Sequence, residues 1–285
     1  MWVMTSAEPL FAPASAIRRI GGESALLFAG GRALLMQVAH PLVAAGVAEH
    51  SGFTRDPWRR LARTMQALYG IVYGTPGDAE RIGRGVRVGH AHVHGVLRED
   101  VGRFPAGTSY SADDPELLLW VHATLVDTAL EMHERFVGPL SHDDRSAFHD
   151  DMRVVGEVFG VPRSTLPASY DDFARYVADV LGSGVLRVGA DARAIARAML
   201  DAPIPLPLRP TALAVATITS VLLPEPLPAL YGLRPGRPQR ALARASAAIS
   251  RQVVPRAPSA LRVVGPTGDR AQPGLALRML DAMAR

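Results

Sequence analysis

The sequence predicts an all-α protein, and three observations carry that prediction. Apolar residues recur at three- and four-residue spacing along most of the chain, while period-two alternation is nearly absent. Prolines and glycines stand where helices should begin and end. At 285 residues and 48% hydrophobic content, the chain can also bury a substantial core and still line an apolar cavity.

Taken in order, the first predicted helix spans 23–39 and the second spans 42–50, with His40-Pro41 at the break between them. The next, 57–73, is announced by Asp56-Pro57. An aspartate can accept from the free amides of the first turn, and a proline at the first helical position has no N–H to leave unpaired. Gly74 should end it, and a helix over 79–97 follows. Asp114-Pro115-Glu116 repeats the opening device for 115–136. Ser141-His-Asp-Asp places acids at the positive end of the helix dipole for 143–159. Gly138, Gly160 and Gly182 mark further stops, and 170–181, 190–200, 211–222 and 237–253 complete the set. Proline density between Pro203 and Pro238 predicts short helices joined by extended turns on one side of the bundle. The tail, 255–285, is expected to wrap the surface and end in a short helix. With no internal repeat and no Ser/Gly-rich linker, the reading is a single compact multi-helix domain over 1–285.

Composition removes several function classes. All 31 basic residues are Arg, and Lys, Asn and Cys are absent. Lys and Asn codons are A-rich, so this pattern points to a GC-rich gene and not to a selected basic surface. The arginines are scattered among acids, and the formal net charge is only +4, so no nucleic-acid partner is expected. Without cysteine there is no disulfide, no thiolate catalysis and no Cys-held zinc or iron–sulfur centre; a metal would need His, carboxylate, Tyr or Met. The amino-terminal residues lack a basic region followed by an apolar run, so no secretory signal is read. The apolar stretch 25–47 contains Arg32, which would cost roughly 3 kcal/mol or more in hydrocarbon, and 211–223 is too short to span a bilayer. The expectation is a cytoplasmic protein, with peripheral membrane contact left open.

Two segments carry polar groups suited to chemistry. On the helix over 57–73, Arg60 and Thr64 are four residues apart and share a face, with Arg63 beside them. Such a face can offer a guanidinium and a hydroxyl to something anionic or oxygen-bearing; it also fits a solvated arginine stripe with Arg59. On the next helix, Arg84, Arg87, His90, Ala91 and His94 form a ladder, and His90 and His94 stand one turn apart, as two imidazoles on one metal would. A zincin is excluded because Ala91, not Glu, follows His90. Glu131-Met132-His133-Glu134 supplies no Glu-x-x-His pair for a di-iron bundle. No nucleophile elbow is present, and Gly30-Gly31-Arg32 is too short for a dinucleotide loop. His40 reads as a structural hydrogen-bonding residue, and Trp120 and His122 read as core.

A longer pattern then emerges. Gly31-Arg-Ala-Leu-Leu-Met-Gln-Val-Ala-His40-Pro41, Val47-Ala-Glu-His50-Ser51 and Asp56-Pro57 precede Arg60-x-x-Arg63-Thr64. Tyr73-Gly74-Thr75, Val86-Arg87-x-x-His90-Ala91, Asp114-Pro115-Glu116-Leu117 and Trp120-Val-His-Ala-Thr-Leu-Val-Asp127 follow it. In this order and spacing, over roughly 15–235, the chain resembles the DUF2236 family of MpaB-like oxygenases and the rubber-oxygenase (latex-clearing protein) catalytic domain. The resemblance implies helices surrounding a pocket for haem b and an apolar substrate. By motif it makes His90 the iron ligand and Arg60 and Thr64 the catalytic pocket residues. It also places Arg63, Arg84 and Arg87 among the cofactor-binding groups, since guanidinium forks suit haem propionates.

The match departs from the family pattern in an informative place, besides the secretory signal not read at its amino terminus. Where latex-clearing proteins carry a Lys next to the Thr, this chain has Arg63. A guanidinium keeps its proton and is a poor iron ligand, which argues against rubber as the substrate. The expected function is a haem-dependent oxygenase using dioxygen on an apolar, isoprenoid- or lipid-like small molecule. Two other readings stay open: a non-catalytic helical protein that binds an apolar ligand, and a His90/His94 non-haem metal enzyme.

Overall fold

Helix boundaries fall where the capping chemistry places them. The computed structural model describes residues 8–52, 57–200, 209–258 and 262–265. Twelve helices are present among them: α1 (Ala16–Gly21), α2 (Gly30–Val38), α3 (Pro41–His50), α4 (Pro57–Tyr73), α5 (Pro76–His90), α6 (Pro115–Phe136), α7 (His142–Phe159), α8 (Tyr170–Gly182), α9 (Ala190–Leu200), α10 (Arg209–Leu222), α11 (Leu227–Leu230) and α12 (Arg237–Val253). The Asp114 carboxylate accepts from the Glu116 amide at 2.8 Å and opens α6. Ser141 and Asp144 cap each other reciprocally at the start of α7, and Thr75 and Asp78 do the same for α5. Gly160 ends α7 with φ +100°, a left-handed conformation that costs glycine nothing.

Two predicted helices are corrected. The segment over 23–39 divides into a 3₁₀ turn, Ser24–Ala29, and then α2. The segment over 79–97 starts earlier, because the Thr75 box captures the first turn, and stops at His90. Beyond it the chain forms an antiparallel hairpin, β1 (His94–Val96) with β2 (Ser109–Ser111), in which Gly95 faces Tyr110. The apolar spacing that suggested a continuing helix is also a strand alternation: Val93, Gly95 and Leu97 point inward while His94 and Val96 are exposed. Gly95 is required there, since a Cβ would lie 2.6 Å from the Tyr110 hydroxyl. That hydroxyl donates to Glu49 Oε2 at 2.7 Å and seats the hairpin against the end of α3. His94 therefore sits on a strand and not one helical turn from His90.

The core is built around α6. Ala123, Val126 and Leu130 pack with Ile20 of α1, Ile71 of α4, Phe148 and Val155 of α7, and Phe173 of α8. On the other side Trp120 joins Leu35 and Met36 of α2, Leu186, Ala196 of α9 and Leu227 of α11. Carbonyls at the end of α2 are met from outside the helix. Trp120 Nε1 donates to Met36 at 3.2 Å, the Tyr231 hydroxyl to Leu35 at 2.7 Å, and the Arg187 amide to Ala39 at 2.8 Å.

Arg32, 4% exposed, ties α2 to both neighbouring helices. It pairs with Asp127 at 2.7 Å, donates from Nη1 to Thr128 Oγ1 at 2.7 Å, and from Nε to the Leu222 carbonyl at the end of α10 at 2.8 Å. At the other end of the chain, Arg262 grips buried Glu23 with contacts of 2.6 Å and 3.0 Å, and fully buried Val264 donates its amide to Gly22 at 2.8 Å. The rest of the predicted tail, including its terminal helix, lies outside the described residues. So does most of the proline-rich stretch before α10. Among the described residues, no helix is long and apolar enough to cross a membrane.

An apolar cavity of about 70 Å³ lies where α1, α2, α4, α6 and α7 meet, lined by Ile17, Ala33, Met65, Tyr69, Ala129 and Phe148 among others. Two buried histidines lie on the same helices. His122 on α6 and His149 on α7 each hold an Nδ1 with no hydrogen-bond partner, and the His122 ring lies 3.2 Å from where a Cβ on Gly156 would sit. His40, expected to make a structural hydrogen bond, instead has an unpartnered Nδ1 and packs on Phe104 with ring centroids 5.5 Å apart.

Two outcomes follow from this packing. Arg32→Ala leaves Asp127, Thr128 and a helix-end carbonyl without their shared donor, and should cost about 3–5 kcal/mol in denaturant unfolding; Arg32→Lys should recover only part, because an ammonium lacks the planar fork. Burial, with His149 nearby, pushes His122 down to about 4 from an ordinary 6.5. Between those two values the unfolded chain binds a proton that the folded protein refuses, so this contribution is intact above pH 6.5 and shrinks as the pH falls toward 4. The loss should reach about 3 kcal/mol, and His122→Leu should flatten the acid limb of a stability–pH curve.

Candidate functional site

α4 and α5 are nearly equal in length and joined by the two-residue turn Gly74-Thr75. An antiparallel pair so connected brings the first turn of one against the last turn of the other. This is what places Arg60, at the start of α4, beside His90, the last residue of α5. The two are electrostatically coupled across the helix pair.

His90 is half-buried, and its Nδ1 is enclosed with no hydrogen-bond partner. Burial is the main force lowering its pKa below the ordinary histidine value. Asp113, at the foot of the hairpin, pulls the other way, and the Arg60 guanidinium adds to the lowering. The result is an imidazole that stays neutral at physiological pH, with a lone pair available to a ligand. Arg60 is itself half-buried, and desolvation lowers its pKa too, although a guanidinium remains charged.

The remaining predicted residues are placed as follows. The Thr64 hydroxyl donates back to the Arg60 carbonyl at 3.1 Å, so its proton is committed while its lone pairs face outward on an exposed side chain. Arg63 is exposed. Arg84 is exposed and paired with Glu80 at 2.7 Å along α5. Arg87 reaches across to the Val158 carbonyl at 2.6 Å and lies over Gly160, tying α5 to the end of α7. The structure thus brings Arg60, Thr64 and His90 to one end of the helix pair, while Arg84 and Arg87 are engaged elsewhere. No three His, Asp or Glu side chains converge as a metal cluster among the described residues.

Asp113 was not anticipated at this site. Its neighbour Asp114 was legible as a helix cap, but only the hairpin returns Asp113 to His90, and strands of three residues leave almost no periodic signal. The apolar cavity is a separate feature. α4 lines it with Met65, Leu68, Tyr69 and Val72, one helical step around from Arg60 and Thr64, and none of Arg60, Arg63, Thr64 or His90 reaches it.

The family described as "ER-bound oxygenase mpaB/B'/Rubber oxygenase, catalytic domain" matches residues 17–252, from α1 to α12. Two mycobacterial relatives, the uncharacterized proteins Mb2261 of Mycobacterium bovis and Rv2237 of Mycobacterium tuberculosis, are each 30% identical over 184 residues, covering 63% of this chain and 69% of the relative. No solved structure matches it significantly. The match takes in every element that carries Arg60, Thr64, His90 and Asp113, and the chain belongs to the MpaB and rubber-oxygenase catalytic-domain family.

Proposed function

We propose that the protein is a haem b-dependent oxygenase that uses dioxygen on a small apolar substrate of isoprenoid or lipid type. The observation that carries this reading is His90: an imidazole held neutral, with an enclosed and unpartnered nitrogen, beside a half-buried arginine. A single such imidazole with guanidinium groups nearby is a donor set that suits haem: the histidine would hold the iron and the arginines the propionates. Haem, when bound, would supply the redox chemistry with dioxygen that no side chain of this protein provides.

The protein's own groups have distinct tasks. His90 would hold the iron, and Arg60 disfavours its protonation so that the nitrogen remains a ligand as the pH falls. Arg60 and Arg63 offer two positive charges to acidic groups at the same end of α4. Thr64, anchored on the Arg60 carbonyl, presents acceptor lone pairs in a fixed direction. Arg63 would not serve as an iron ligand in place of lysine, which favours a small apolar substrate over rubber.

The reading is tested by an absorption spectrum of protein prepared with haem supplied. A Soret band is expected, lost in His90→Ala and retained in His94→Ala. Arg60→Ala should weaken haem retention roughly tenfold, the worth of one charge-assisted contact. A flat spectrum overturns the proposal. Bound metal without porphyrin would instead favour a non-haem metal enzyme, and stoichiometric apolar ligand without haem would favour a non-catalytic binding protein.

A further inference from the structure

The apolar cavity has a size and a lining that together favour a small guest. Its volume of about 70 Å³ is several times the roughly 10–15 Å³ that one water needs. It is also well below the roughly 300–1,000 Å³ of pockets that enclose drug-sized molecules.

The lining offers little to an ordered water, which needs two to four polar partners. The cavity offers only two side chains with hydrogen-bonding groups, and both are committed elsewhere. Thr128 Oγ1 accepts from Arg32 at 2.7 Å and donates toward the Met36 sulfur at 3.8 Å. The Tyr69 hydroxyl donates to the Gly21 carbonyl at 3.3 Å. All other lining side chains are apolar, and Phe148, Ile17 and Val72 are almost wholly buried. Closing such a space would have been simple: Ala33 and Ala129 line it, and a larger apolar residue at either position would fill it. What remains compatible is a small nonpolar molecule with no hydrogen-bonding demand.

We infer that this cavity is a docking site for dioxygen, held in the core one helical step from the Arg60–Thr64 face of α4. That dioxygen is the relevant guest rests on the oxygenase reading; that the cavity accepts a nonpolar gas does not. Capacity is tested with xenon on the full chain, by crystals under xenon pressure or by xenon NMR. Access is tested by methyl relaxation under dissolved dioxygen. One xenon is expected in the cavity, and dioxygen should speed relaxation at the Met65, Met152, Leu68 and Leu125 methyls while sparing Ile195, which lies in another part of the core.

Ala129→Leu and Ala33→Leu should each abolish both signals while the helical circular dichroism is kept. If neither variant folds, the measurements on the unaltered chain decide alone. Absence of xenon, ordered water in the cavity, or relaxation spread evenly over the core would overturn the inference. Selective xenon and dioxygen signals in a protein that takes up no haem would uphold the gas site while removing the oxygenase reading, so the two failures are distinguishable.

Discussion

Arg32 is a buried cation on which three helices depend. Removing a guanidinium from water costs several kcal/mol, and here the cost is offset by a carboxylate, a hydroxyl and a helix-end carbonyl arranged around one planar fork. The same interaction touches the space beside it. Thr128, which lines the cavity, accepts from Arg32, so its hydroxyl is already engaged. A change at Arg32 therefore acts on fold stability and on that lining together.

The site end of the molecule follows a simpler logic. Two helices of similar length joined by a tight turn must bring their outer ends together, so residues 30 positions apart in sequence become neighbours without any long-range pairing. Arg60 and His90 are placed by this hairpin of helices, and Thr64 is fixed to the first of them through its backbone. The β-hairpin then adds Asp113, whose negative charge opposes the effect of Arg60 on the imidazole. Burial remains the largest of the three influences, and the histidine stays neutral.

Much of this was legible in the chain itself. Aspartate–proline openings, acid-rich first turns and glycine stops located α4, α6, α7 and α8 to within a residue or so, because capping is local chemistry. The two helices that were misjudged failed for local reasons as well. Residues 93–97 satisfy helical and strand spacing equally, and only the docking of Tyr110 over Gly95 decides between them. The shared helical face of His90 and His94 was lost with that decision. The clustering of Arg60 and His90 was visible only as two motifs in a framework; their meeting is a tertiary fact. Asp113, the Arg32 hub and the cavity had no sequence signal, since each depends on which buried groups face one another across different helices.

The pairing of Glu23 with Arg262 joins residues 239 positions apart. Chains are made from the amino terminus, so a carboxylate destined for the interior is synthesised 239 residues before its counter-ion. Until that later segment has left the ribosome, Glu23 lacks the partner that accompanies its burial. The amino-terminal corner can therefore close only after Arg262 has been made, however early its helices form.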